Sequence, residues 1–170
     1  MGQKLNPKDR RNRPVEAKKH LPILLIVLLF LVGCGGGGDD SHPANASCDP
    51  MQKGDGITKE ISFTNVPAFN TTDNLAGVIW NASPKQYAIA VLINVGGLWW
   101  SKPTLSAPVT LVACNCSFVC DITTGGSDQL ATRIIAYMIP ITYSPPTALG
   151  TKDIPPDLIK NAVAFREAVR

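Results

Sequence analysis

The sequence predicts an all-β fold: a single β-sandwich domain over residues 57–170, closed by a C-terminal α-helix at about 154–170. Three features carry that reading. Short apolar runs rich in β-branched residues recur from Ile57 onward, Gly and Pro turn signals separate them, and no helical period intervenes before the end of the chain. Short strands punctuated by turns build sandwiches or barrels, and roughly 115 residues suffice for one hydrophobic core but not two domains.

The elements follow in order. Ile61-Ser62-Phe63-Thr64-Asn65-Val66 alternates apolar and polar residues before Pro67, as a half-buried strand does. Leu75–Trp80 follows the turn-forming Thr72-Asp73-Asn74. Tyr87–Val95 is almost continuously apolar, the pattern of a central strand covered on both faces. Gly96-Gly97 reads as a two-residue hairpin turn into Leu98-Trp99-Trp100. Pro108–Ala113 and Ser117–Ile122 read as a further strand pair, and Arg133–Ile139 as a second strongly apolar strand closed by Pro140. Pro155 and Pro156 suit a helical first turn, Asp157 complements the helix dipole, and Leu158, Ala162, Phe165 and Val169 fall on one helical face.

Upstream, the composition changes twice. Residues 1–20 carry Lys4, Lys8, Arg10, Arg11, Arg13, Lys18 and Lys19 against Asp9 and Glu16. The uncharged run Leu21–Gly33 follows; it is shorter than the roughly 20 residues of a spanning helix and has the layout of a secretory signal. Residues 34–56, opening on Gly35–Gly38, are rich in Gly, Asp, Ser and Pro, and read as a flexible tether with an average reach of ~25 Å.

Leu31-Val32-Gly33-Cys34 resembles the lipobox of bacterial lipoprotein signal peptides. The resemblance implies a signal peptide over 1–33, cleavage before Cys34, a diacylglycerol thioether on the Cys34 sulfur and a fatty acyl group such as palmitate on the new amino terminus. It therefore implies a lipoprotein held on the lipid bilayer in an extracytoplasmic compartment. Gly35 rather than Asp after the cysteine implies the outer membrane in a Gram-negative host. Each buried CH₂ contributes ~0.8 kcal/mol, so two or more chains anchor stably where one does not. The chain's net charge of +3, less the +5 of residues 1–33, leaves −2 downstream. The basic balance thus belongs to the signal, and no nucleic-acid partner is expected.

The chemistry available to the domain is limited. Of the two histidines, His20 lies in the signal and His42 in the tether, which removes His-based triads and His metal sites from the domain. Asp55, Asp73, Asp128 and Asp157 stand where turns and a helix start need them. No enzymatic activity, catalytic residue, metal or cofactor is expected. Cys48, Cys114, Cys116 and Cys120 are disulfide candidates, since an oxidising compartment makes that their ordinary fate. Four cysteines allow three full pairings; Cys114 with Cys116 is the least attractive because the loop between them is so short.

The tryptophans are the candidate ligand-binding residues: Trp99 and Trp100 beside the Gly96-Gly97 turn, and Trp80 at the end of its strand. Adjacent strand residues face opposite ways, so one of Trp99 and Trp100 should enter the core and the other point outward. An outward indole offers a flat platform for a sugar ring or a protein partner. Two function classes follow: a non-catalytic module binding carbohydrate or another envelope component, or a structural or protein-interaction lipoprotein whose aromatic residues are all core.

Gly97-Leu98-Trp99-Trp100-Ser101-Lys102-Pro103, Cys120-Asp121-Ile122-Thr123-Thr124-Gly125-Gly126-Ser127-Asp128 and Ala136-Tyr137-Met138-Ile139-Pro140 together resemble a small secreted bacterial β-sandwich module found in the tails of carbohydrate-active and other surface proteins. The likeness would cover most of residues 57–165, with Asp121–Gly126 its most distinctive part, and it implies the fold more than a ligand. The cysteine-bearing Cys114–Cys116 turn departs from that pattern.

The anchoring expectation is tested by Cys34→Ser. The variant should leave the detergent-extractable membrane fraction; a normally processed Cys34→Ser chain that stays there would refute lipid attachment.

Overall fold

The computed structural model describes residues 48–170. The expected signal peptide, the lipidation expected at Cys34 and the part of the expected tether up to residue 47 lie outside the described residues. Two antiparallel sheets pack face to face. The smaller takes the order β1-β2-β6, from β1 (Glu60–Asn65), β2 (Leu75–Trp80) and β6 (Ser117–Cys120). The larger takes the order β8-β4-β3-β7-β9, from β3 (Tyr87–Val95), β4 (Leu98–Lys102), β7 (Arg133–Pro140), β8 (Leu149–Thr151) and β9 (Ala164–Val169). The two-residue β5 (Thr110–Leu111) also pairs with β3. Among the described residues the only α-helix is α1 (Pro156–Asn161), and no helix is long and apolar enough to cross a membrane.

The all-β sandwich expectation holds, and β3 organises it. Its seven interior residues are all buried. Ile89, Val91 and Ile93 face the core between the sheets, with Leu75, Ile79, Phe118, Ile134 and Met138. Ala90 and Leu92 face a second core on the outer side of the large sheet, with Trp99, Ile135, Tyr137, Ile139 and Leu158. The second core needs a cover, which α1 and the loop carrying Tyr143 and Ile154 provide. Tyr143 donates its hydroxyl to Asp157 Oδ2 at 2.7 Å, tying that loop to the helix. Burial, reinforced by this carboxylate, pushes the Tyr143 phenol up to about 12.

Gly96 and Gly97 form the β3–β4 turn with φ of 59° and 83°, the left-handed pair that a tight hairpin requires. Gly77 sits opposite Phe118 across the β2–β6 pair. A Cβ there would lie 2.5 Å from the Phe118 ring and 2.7 Å from the Ser62 carbonyl oxygen, so the aromatic ring occupies the space a side chain would need.

The structure departs from the sequence expectations at four places. Residues 48–56, assigned to the tether, belong to the folded unit. Cys48 is disulfide-bonded to Cys114, Met51 packs on the inter-sheet core, and the Asn81 side chain bonds the Lys53 N–H and the carbonyls of Lys53 and Thr58. Asp55 closes the following turn by accepting from the Thr58 hydroxyl and the Ile57 and Thr58 amides, which draws its carboxyl down to about 2. These bonds are made by side chains, most of them to backbone groups, and leave no period in the sequence.

The second departure is the end of the chain. The helix expected at about 154–170 stops at Asn161, and residues 164–169 pair with β7 as strand β9. Leu158 alone of the proposed helical face is buried; Phe165 and Val169 are 64% and 78% exposed. Without β9, the apolar strand β7 would present an unpaired edge, and that demand outweighs the helix propensity of Ala, Arg and Glu. Third, the segments read as a strand pair at 108–113 and 117–122 join different sheets: β5 pairs with β3 and β6 with β2.

The fourth concerns the thiols. Cys48–Cys114 is the one disulfide among the described residues; Cys116 and Cys120 remain as buried thiols. Both are buried in the inter-sheet core, Cys116 in the turn before β6 at a φ of 63° and Cys120 at the far end of that strand. The three strand steps from Ser117 to Cys120 alone cover ~10 Å, beyond the Cα separation a disulfide tolerates. Cys116 Sγ instead sits between the Met51 N–H at 3.4 Å and the Asp49 carbonyl at 3.5 Å. Burial pushes the Cys120 thiol up to about 11. A chain of residues 41–170 should therefore show no thiol reactive with a disulfide reagent at pH 8 while folded, two after unreduced denaturation, and four after reduction. Zero thiols in the unreduced denatured protein would mean that Cys116 and Cys120 are also oxidised.

Candidate functional site

Strand β4 carries the residues of interest on both its faces. Its register against β3 pairs Asn94 with Trp99, Ile93 with Trp100 and Val91 with Lys102. Directly paired residues share a face. Trp100 and Lys102 therefore lie on the inter-sheet side with Ile93 and Val91, while Trp99 lies on the outer side. The expected alternation is present, with an outcome the sequence did not reveal: each face meets a core. Trp99 is 5% exposed within the outer core, with the Arg133 guanidinium 5.1 Å from its ring centroid. Trp100 is half-buried, packed on the edge of the inter-sheet core.

Trp100 stays open because strand β6 ends before it reaches β4. Strand β1 lies against β9 and β6 against β5, which runs end to end with β4 along the same edge of β3, so the gap over the inner face of β4 lies past the end of β6. The loop after β6 rises over this gap and leaves a groove of about 650 Å³. One wall is Val95, Trp100 and the segment Pro103–Ser106; the other is Thr124–Asp128. Gly150, at φ 65°, lies against Trp100 on β8: a Cβ there would fall 3.0 Å from the indole ring.

The two walls are joined at the floor. Lys102 and Asp128 form an ion pair with side chains only 7% and 11% exposed. The Lys102 ammonium also donates to Thr124 Oγ1 at 3.1 Å, and Asp128 Oδ2 accepts the Gly125 N–H at 2.8 Å. Thr124 in turn donates to the Pro103 carbonyl. The Trp99–Pro103 and Asp121–Asp128 segments, noted separately in the sequence, thus meet through polar contacts at one place.

The Asp128 turn is held from behind as well. The Arg170 guanidinium donates to the carbonyls of Gln129 and Ala131, and of Pro67 and Ala68. These partners lie 39 to 103 residues away in sequence. Neither they nor the Lys102–Asp128 pair carries a sequence signal beyond a turn-forming Asp and a Lys-Pro step.

The other candidate residues fall elsewhere. Trp80 does not line the groove; it lies on the outer side of the small sheet, its Nε1–H donating to Ser62 Oγ at 3.0 Å. The Lys53 ammonium stands 5.6 Å from its ring centroid. Cys116 and Cys120 lie in the inter-sheet core, and the Cys48–Cys114 disulfide stands at the other end of β6 from the groove loop. Of the three tryptophans, Trp100 alone lines this groove.

The buried pair generates a stability prediction. Lys102→Met leaves the Asp128 carboxylate uncompensated and should cost about 3–5 kcal/mol in urea unfolding. The double variant Lys102→Met/Asp128→Leu removes both charges and should recover most of that loss. Equal destabilisation by the single and double variants would refute the ion pair as the link between the walls.

Comparison with protein-family profiles, curated proteins and solved structures gives no match to this chain.

Proposed function

We propose that this chain is a bacterial lipoprotein, lipid-anchored through Cys34 on the extracytoplasmic side of a membrane, whose folded part is a non-catalytic module that binds carbohydrate of the cell envelope. The observation that carries the binding reading is the half-buried Trp100 indole forming one wall of an open groove. The groove falls within the ~300–1,000 Å³ typical of small-ligand sites. An indole fixed by packing gives a sugar ring apolar contact at little entropic cost. The hydroxyl-bearing Ser127 lines the same groove with Thr104, Ser106 and Thr124, whose hydroxyls are already partly engaged within the protein, and together they supply hydrogen-bonding positions for a sugar's edge. The anchoring reading is supported by the basic segment, the apolar run and Leu31-Val32-Gly33-Cys34.

Trp99 and Trp80 have no part in this reading, because the first belongs to a core and the second is bonded to Ser62. The alternative, a structural or protein-interaction lipoprotein without a small ligand, rests on these same two placements. Three alanine variants separate the readings. Trp99→Ala should cost about 3–5 kcal/mol from the cavity it leaves. Trp80→Ala should keep both fold and glycan binding. Trp100→Ala should keep a cooperative urea transition and lose binding to a glycan array. Binding that survives Trp100→Ala would refute the groove as the site.

A further inference from the structure

The groove's polar chemistry narrows its occupant. Its charged lining residues are Lys102 and Asp128, and each is already the other's partner. Thr124 and the Gly125 amide occupy further positions on the two groups. The closed pair carries no net charge to attract an anionic ligand, and an anion that replaced Asp128 at Lys102 would leave a buried carboxylate without its counter-ion. That penalty exceeds what a new, partly exposed ion pair returns. The same argument excludes a cationic ligand at Asp128. The remaining lining is an indole, aliphatic side chains and hydroxyls, which fits a molecule with an apolar face and a hydroxylated edge.

We propose that the groove is selective for uncharged oligosaccharides, seating the C–H face of a pyranose ring on Trp100 and presenting its hydroxyl edge to the Thr124–Ser127 loop, while the closed Lys102–Asp128 pair rejects acidic sugars. This rests on the carbohydrate-binding reading above and adds the class of sugar to it. The Lys102–Asp128 pair acts as a positioning device: it holds the loop opposite the indole and makes no salt bridge to the ligand. Binding is therefore insensitive to ionic strength, because no exposed charge pair is formed or broken.

The test uses the full chain in detergent, with Trp fluorescence as the readout of groove occupancy. Neutral probes are cello-, malto- and chito-oligosaccharides; acidic probes are oligogalacturonate, hyaluronan oligosaccharides and dextran sulfate. Each is titrated at low and high sodium chloride. The expected result is saturable binding of at least one neutral series, with Kd changing less than about twofold between the two salt conditions. The acidic probes should leave the fluorescence unchanged. Tighter binding of an acidic series, weakening about tenfold or more with salt, would overturn the selectivity and leave the carbohydrate reading standing. Failure of every probe, neutral and acidic, would overturn the carbohydrate reading itself.

Discussion

Strand β3 has no solvent face, and the architecture follows from that constraint. Seven consecutive buried residues need apolar partners above and below the large sheet. The small sheet supplies the inner partners, and α1 with the loop around Tyr143 and Ile154 supplies the outer ones. Each fully buried Ile or Leu stabilises the fold by about 1.5–3 kcal/mol, so leaving either face of β3 wet would forfeit several such contributions at once. A six-residue helix with one buried leucine would not persist alone in water. It persists here because the outer face of β3 and β7 needs Leu158.

The same arrangement decides what happens at the next strand. Because both faces of the large sheet are covered, strand alternation at Trp99 and Trp100 does not separate a buried indole from a fully solvated one. It separates an indole inside a closed core from one at the margin of a core. The margin exists because β6 contacts β5 but stops short of β4, which continues the same edge of β3. A loop bridging such a gap would ordinarily meet water on both sides. Here Thr124–Asp128 is drawn against β4 by a buried ion pair and by Thr124, with Arg170 bonding the carbonyls that follow. A buried ion pair is weak as a source of net stability but strict about geometry. It therefore keeps the groove open at a defined width.

The segment entering the domain is secured just as locally. The Cys48–Cys114 disulfide links it to the turn before β6, and Asn81 satisfies backbone groups of Lys53 and Thr58 that have no strand partner. The groove loop follows the opposite end of β6. Chain entry and groove thus occupy different ends of one short strand, so a ligand in the groove would not compete with the incoming segment.

Local pattern in the sequence was enough to determine the strands at Leu75–Trp80 and Tyr87–Val95, the Gly96-Gly97 turn and the two-sided burial of β3, because period, β-branching and paired glycines act over a few residues. The existence of a helix after Pro155 was equally legible from its prolines and Asp157. Its length was not. Residues 164–169 satisfy a helical period as well as a strand's, and only the vacant edge of β7 chose between them. The pairing of β5 and β6 with separate sheets, the inclusion of residues 48–56 and the survival of two thiols were likewise decided by distance in space. For the site, the sequence marked the tryptophans and both groove segments but could not bring them together: the bond between Lys102 and Asp128 spans 26 residues and the strands β5 and β6. Which indole stays open depends on where one sheet ends above another, and that is a property of the tertiary structure alone.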